Sequence, residues 1–378
     1  MKKAYTVLAV AAWLHIGISP AAVAEVGVEY IGHACFVVAS PSGLRVIIDP
    51  FNSKRWLGYQ FPESVKADAV LVTHPHYDHD ASYYWGDSVP VFREPGTYRV
   101  GDVRLLGVKG RHADPYGKDF GQANTIWLVE TGGARIAHLG DNGPLTEENM
   151  RELGRVDVLM IPVDGQEHIL KTEEIMALRQ GLRPAVTVPM HYRLEGFLGL
   201  PRTLGPLGPW LEKQTGVIRL EENKTRFDGF AGEEQVVVFP PSPELKVWPD
   251  GLAKGWQKLG QARRLVADDP QSLQQAAALV REAAESADCV VFSFQWARAL
   301  SQGARSDEAI EVLETVLARA GRDDWEYRMR ARSLLAELYR KEDRTEEAAE
   351  QYRMVLENTH RLDLREKARR FLDGHAAR

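Results

Sequence analysis

The octapeptide Thr73-His74-Pro75-His76-Tyr77-Asp78-His79-Asp80 sets three imidazoles and two carboxylates directly behind an apolar run, Ala69-Val70-Leu71-Val72. Side chains two apart in an extended segment share a face, so His74 and His76 can converge on one cation where the strand ends. Asp78 and His79 follow as the chain turns and can face a second. Later strand-like runs end in further donors: His112 in GRHADP, Asp141 in HLGDNG and His191 in VPMHYR. Imidazole with carboxylate suits zinc, iron, manganese or nickel. A carboxylate between two cations can bridge them at ~3.5–4 Å. The expected partition is His74, His76 and His112 around one metal, Asp78, His79 and His191 around the other, and Asp141 between. Water bridging such a pair loses a proton near neutral pH and becomes a nucleophile. The competing reading is a polar loop that happens to be rich in histidine.

Those donors need a scaffold that brings distant strand ends together. From Val26 to about Phe239, short β-rich runs alternate with turn clusters, and ten strands are expected: Gly27 to Ile31, Cys35 to Ala39, Leu44 to Ile48, Ala69 to Val72, Val103 to Val108, Thr125 to Glu130, Arg135 to Leu139, Val158 to Pro162, Ala185 to Pro189 and Gln235 to Phe239. Helical patterns cover Glu147 to Gly154 and Glu173 to Gly181, the second with Thr172 as a candidate cap. Pro240-Pro241-Ser242-Pro243 and Trp248-Pro249-Asp250-Gly251 then interrupt the periodicity and read as a linker. Beyond it the composition turns to Ala, Leu, Glu, Arg and Gln with helical spacing. Within this tail ARALSQGARSDEAIEVLETVL (297–317) matches AELYRKEDRTEEAAEQYRMVL (336–356), pairing Ala297 with Ala336, Arg305 with Arg344, Glu308 with Glu347 and Ala309 with Ala348. Each copy reads as two helices around a polar turn, and residues 256–285 can add a degenerate hairpin.

Two resemblances follow from these residues. THPHYDH with the later His112, Asp141 and His191 resembles the metallo-β-lactamase fold superfamily. IGHACF, IIDP, HLGDNG and VPMHY look like the branch of phosphorylated-ascorbate lactonases and N-acyl phosphatidylethanolamine phospholipase D type enzymes. The repeats are similar to the tetratricopeptide pattern. The first resemblance covers about residues 26–240 and implies an α/β fold, an αββα sandwich with a binuclear site at one edge of its sheets, followed here by an all-α helical-repeat domain. It implies two divalent ions, zinc first with manganese or iron as alternatives, and catalytic roles for Asp78, orienting the attacking hydroxide, and for His33, orienting substrate or leaving group. Asp49 in IIDPF matches an aspartate that accepts a proton from a ligand imidazole and fixes its tautomer; the alternative is an Asx turn before Pro50. Asn142 departs from the branch's usual threonine. Asp80 is acidic where the family carries an apolar or small residue, and is expected in the first turn of a helix.

The expected domains are a signal peptide over 1–24, a hydrolase domain over 25–248 and a helical domain over 249–378. Lys2 and Lys3, an apolar run from Tyr5 to about Ile18, and Ala22-Val23-Ala24 make a secretory signal cleaved after Ala24, too short to anchor the chain across a bilayer. A periplasmic or secreted protein is therefore expected. Formal net charge is −6, and removing Lys2 and Lys3 leaves −8, so nucleic acid is not an expected partner. Cys35 and Cys289 lie in different expected domains, so no structural disulfide is expected. Trp56, Tyr59 and Phe61 can wall a pocket over the metals or pack inward. Lys109, Arg111 and Arg193 adjoin ligands but read better as surface charges. His138 reads as a core imidazole, and His168 falls near the site in the resembled branch. The leading function is hydrolysis of a phosphodiester, lactone or lipid-like ester. The alternatives are a metal-holding envelope scaffold whose repeats recruit a protein partner or self-associate, and redox chemistry at a di-iron centre.

Overall fold

The computed structural model describes residues 25–54, 57–113, 122–197, 204–230, 233–268, 272–321 and 324–376. The expected signal peptide and Trp56 lie outside the described residues. Two sheets carry the N-terminal part. A six-stranded sheet runs in the order Lys224–Phe227, Val26–Gly32, Cys35–Ala39, Arg45–Ile48, Ala69–Leu71, Val91–Phe92. An eight-stranded sheet runs Val217–Arg219, Gln235–Val238, Val186–Met190, Val158–Pro162, Ala134–His138, Ala123–Thr131, Val103–Arg111, Gly96–Val100. The central strands Val158–Pro162 and Val186–Met190 are buried at every residue, as parallel strands covered on both faces must be.

All ten expected strands are present, and edge strands such as Gly96–Val100 and Lys224–Phe227 are added to them. The edges alternate between exposed and half-buried residues and carry too little apolar patterning to stand out in the sequence. Helix Thr172–Leu182 starts one residue earlier than expected, so Thr172 is not its cap. Its hydroxyl donates to Glu167, and Glu174 accepts from the Lys171 N–H instead.

Strand directions gather the donors at one edge. Arg45–Ile48 and Ala69–Leu71 are parallel, as are Ala134–His138, Val158–Pro162 and Val186–Met190. Val103–Arg111 and Ala134–His138 each pair antiparallel with Ala123–Thr131 and so point the same way. The turns after these strands therefore emerge together. Trp127, fully buried, stitches the two sheets beside them: its Nε1 donates to the Val72 carbonyl at 3.0 Å, while Thr125 N donates to Thr73 O at 2.7 Å. Truncating such a side chain to alanine costs ~3–5 kcal/mol.

The segment that reads as a linker is packed. Lys246–Val247 pairs with Tyr59–Gln60, and Ser242 N donates to Ile31 O. Leu245 packs against the sheet core and Trp248 belongs to a second core, that of the tail. Seven helices follow among the described residues: Asp250–Asp268, Leu273–Ser286, Val290–Gln302, Ser306–Arg319, Trp325–Lys341, Thr345–Asn358 and Leu362–Ala376. The repeat alanines Ala297, Ala309, Ala336 and Ala348 are all fully buried, where a larger side chain would push the paired helices apart. Cys35 and Cys289 are both buried, and neither is part of a disulfide.

Candidate metal centre

All seven expected ligands meet at the common edge of the sheets. His74, His76 and His112 form one group whose donor atoms lie within 4.8 Å of one another; Asp78, His79 and His191, joined by His33, form a second; His74, His79 and Asp141 form a third that overlaps both. All but His76 are buried. The Asp141 carboxylate connects the sets: Oδ2 is 3.6 Å from His112 Nε2, 3.9 Å from His74 Nε2 and 3.3 Å from His191 Nε2, and Oδ1 is 3.4 Å from His79 Nε2. Ligand atoms ~2.0–2.1 Å from a tetrahedral zinc stand about 3.3 Å apart, which is the spacing these atoms approach.

Hydrogen bonds assign the imidazole nitrogens. Asp49 accepts from Thr73 N at 2.8 Å, from Thr73 Oγ1 at 2.7 Å and from His79 Nδ1 at 2.8 Å. Thr73 has spent its one hydroxyl proton on Asp49, so its oxygen accepts from His74 Nδ1 at 2.9 Å. His74 Nε2 is thereby left as a lone pair 3.1 Å from His76 Nδ1, and His79, held at Nδ1 by Asp49, turns Nε2 toward Asp78 and Asp141. Buried atoms with no protein hydrogen bond include His79 Nε2, His112 Nε2, His191 Nε2 and Asp141 Oδ1. Several buried donor atoms without partners at one point fit cations. Asp49 is thus no Asx turn: its side chain reaches across to Thr73 and His79.

The backbone is bent to make this arrangement. Asp49, His33 and His191 have φ of 51°, 56° and 64°, a left-handed conformation that side chains rarely adopt, and His191 N donates to His33 O at 2.9 Å. Gly140, with φ of 57°, lets Asp141 follow; a Cβ there would lie 2.5 Å from Thr73 Oγ1. Asn142 Oδ1 accepts from Arg111 N at 2.9 Å and Asn124 Nδ2 at 3.2 Å, and its Nδ2 donates to Gly143 O at 2.7 Å. A threonine could not make all three bonds, so Asn142 ties the His112 turn to the Asp141 turn here.

Electrostatics divide the two sets. Burial and the neighbouring imidazoles push His74 well below the usual histidine range, and burial, His112 and Arg361 do the same to His76. Burial alone would also lower His79, but the carboxylates of Asp141, Asp49 and Asp78 outweigh it and raise its pKa well above the usual value. Burial and His191 bring His33 down to about 4. Burial would raise Asp78 and Asp141, yet the surrounding imidazoles hold both carboxyls well below the ordinary range.

His33 is fully buried with Nε2 3.3 Å from Asp78 Oδ2. His138 is a core imidazole, its Nε2 2.8 Å from Ala34 O. His168 approaches His191 at 6.1 Å between ring centres and pairs with Asp164 at 3.1 Å, a carboxylate the motif reading missed. Tyr59 and Phe61 pack inward against Phe51. Lys109, Arg111 and Arg193 are exposed. Asp80 starts no α-helix; it is buried and grips the Arg93 guanidinium at 3.1 and 3.0 Å ahead of a short 3-10 turn, Ser82–Trp85. Among the described residues no helix is long and apolar enough to cross a membrane.

Comparisons with known proteins find likeness to parts of this chain. Residues 27–191 match the family model described as Beta-lactamase superfamily domain. A relative from Thermoplasma acidophilum named UPF0173 metal-dependent hydrolase is 28% identical over 184 residues, which span 43% of this chain and 80% of that protein. A solved metallo-beta-lactamase superfamily structure from Thermotoga maritima shares 27% identity, covering 57% of this chain and 100% of its own with a TM-score of 0.46. A TPR protein from Thermus thermophilus shares 24%, covering 32% of this chain and 81% of its own with a TM-score of 0.25. The His and Asp donors at the sheet edge, together with the family match around them, mean that residues 27–191 of this chain form a metallo-β-lactamase superfamily domain, similar to relatives named metal-dependent hydrolases.

Proposed function

We propose that the centre holds two divalent cations, zinc first, and hydrolyses a phosphodiester, lactone or related lipid-like ester. The observation that carries this reading is Asp141, whose two oxygens approach imidazoles of both sets between 3.3 and 3.9 Å. A scaffold would have no need of a carboxylate placed to bridge. His74, His76 and His112 would hold one ion, Asp78, His79 and His191 the other. Bound there, the ions would polarise the ester oxygen and bring a water's pKa towards neutrality. Asp49 keeps His79 Nδ1 protonated so that Nε2 faces the cluster. His33 orients Asp78 from behind. The burial of the ligands keeps bulk water away and strengthens every charge interaction among them. Export through residues 1–24 would place the enzyme in the periplasm or outside the cell.

The test is metal content by mass spectrometry on protein purified without chelators, with turnover of a chromogenic phosphodiester and a chromogenic lactone. About two equivalents of metal and chelator-sensitive turnover are expected. Asp141→Ala should lose at least one equivalent and about 10³-fold or more in rate, since bridging ions supply several kcal/mol of transition-state stabilisation. The helical signal of the tail should persist. Full metal content and activity in that variant would remove Asp141 as the bridge.

A further inference from the structure

The tail does not hang free of the metal centre. Three tryptophan N–H groups donate to main-chain carbonyls of the loops that carry site residues: Trp248 Nε1 to Ser53 O at 2.8 Å, Trp256 Nε1 to Lys54 O at 3.2 Å and Trp325 Nε1 to Asp80 O at 3.1 Å. Ser53 and Lys54 follow Asp49, and Asp80 follows His79 directly. A fourth bond reaches the remaining turn: Leu362 N donates to Gln122 Oε1 at 3.3 Å, and the Gln122 carbonyl accepts from His112 N at 2.9 Å. The contacts thus fall on the loops of Asp49, of His76 to His79 and of His112.

Behind Trp325 lies an ion cluster built on one buried carboxylate. Glu326, 1% exposed, accepts from Arg330 Nε at 2.8 Å and Arg361 Nη1 at 3.1 Å. Arg361 also forms a two-pronged pair with Asp363 at 3.0 and 2.9 Å. The cluster balances two arginines with two carboxylates, so it fixes geometry rather than adding net charge. Removing one partner of such a pair is costly because it leaves the other charge buried and uncompensated. Asp80, whose carbonyl receives the Trp325 indole, has its own side chain clamped by Arg93 at 3.0 Å, so the turn after His79 is held from both domains.

We propose that the helical tail is a positioning part of the metal centre, with Trp325 and the Glu326–Arg361 pair holding the His76-to-Asp80 turn in ligand geometry. This rests on the reading that the cluster binds metal. The Thermoplasma relative is matched over 80% of its length by 43% of this chain, and the fifth of it that remains is too short to supply seven helices. It follows that the two cores act as one unit towards a cation: a change in the tail that touches no ligand alters the site.

The test uses the full chain, stripped of metal, titrated with Co²⁺ alone against a competing chelator and followed by visible absorption. Trp325→Phe keeps the ring and deletes the donor, and Glu326→Gln keeps the shape and deletes the charge. Trp325→Phe is expected to weaken at least one cobalt equivalent about 3- to 10-fold, and Glu326→Gln about 10- to 100-fold. Both should alter the cobalt spectrum at unchanged helical content. Tyr339→Phe, which removes a 2.9 Å bond to Glu314 within the tail, should leave affinity and spectrum as they are. Should Glu326→Gln not fold, Trp325→Phe decides alone. Wild-type affinity and spectrum in Trp325→Phe would overturn the clamp while leaving the metal reading intact. A wild-type chain that binds no cobalt would overturn both.

Discussion

Asparagine at position 49 is the sharpest probe of how the ligand cluster is held. The Asp49 carboxylate receives three bonds, all from donors: Thr73 N, Thr73 Oγ1 and His79 Nδ1, at 2.8, 2.7 and 2.8 Å. An amide has one accepting oxygen, so in either orientation its NH₂ faces a donor. With the oxygen in the place of Oδ2, the Thr73 N–H is orphaned; with the reverse, both other donors are. One buried orphan costs ~1–3 kcal/mol, and the bond to His79 loses its charge assistance, worth about 1 kcal/mol more. Asp49→Asn should therefore lose about 2–4 kcal/mol of stability in the metal-free protein. Backbone strain does not contribute, because asparagine tolerates the left-handed φ of 51° found there. Metal affinity should fall about 10- to 100-fold, the usual consequence of losing a carboxylate behind a ligand imidazole. Urea unfolding of the stripped protein measures the first quantity and chelator competition the second. Stability within about 0.5 kcal/mol of wild type and affinity within a factor of two would refute the view that Asp49 sets the His79 tautomer.

Cation binding should also be unequal in its protons. His74 and His76 are pushed down and already neutral at pH 7, whereas His79 is raised and carries a proton that a cation at Nε2 must displace. One equivalent should bind without releasing a proton from these two imidazoles. The other should release one from His79, its affinity rising about tenfold per pH unit while pH stays below the raised value. Calorimetry in buffers of different ionisation enthalpy reads this directly, and the absence of proton release in both steps would contradict it. Gly140→Ala should destabilise the protein by about 2–4 kcal/mol, since a Cβ meets Thr73 Oγ1 at 2.5 Å and the φ of 57° disfavours any side chain. Thermal unfolding measures the loss, and a variant of native stability would mean that Thr73 is free to move.

The donor types and the scaffold's main strands were legible because each has a local cause. H-x-H-x-D-H behind an apolar run is a chemical pattern within eight residues. The inner strands are buried on both faces and must be apolar at consecutive positions. The tail's repeat showed itself because Ala309 and Ala348 occupy equivalent close approaches between paired helices, and Arg305–Glu308 recurs as Arg344–Glu347. Edge strands were not legible, since half of their residues face solvent and any polar sequence serves there. Asp80 read as a helix-starting residue because its true partner, Arg93, is brought to it by the next strand of the sheet rather than by helical spacing.

By itself the sequence determined which side chains could bind a cation, which segments were β and which helical, and the kinship carried by the motif. Tertiary structure decided how those donors are oriented. Which nitrogen His74 and His79 turn toward the cluster follows from Thr73 and Asp49 engaging their Nδ1 atoms, and the turn of Asp141 from the room left by Gly140. It also decided that the tail touches the centre. Trp325 and Asp80 are 245 positions apart, and the bond between them uses a backbone carbonyl that every residue possesses. A main-chain acceptor leaves no trace in residue type, so only the folded chain can reveal it.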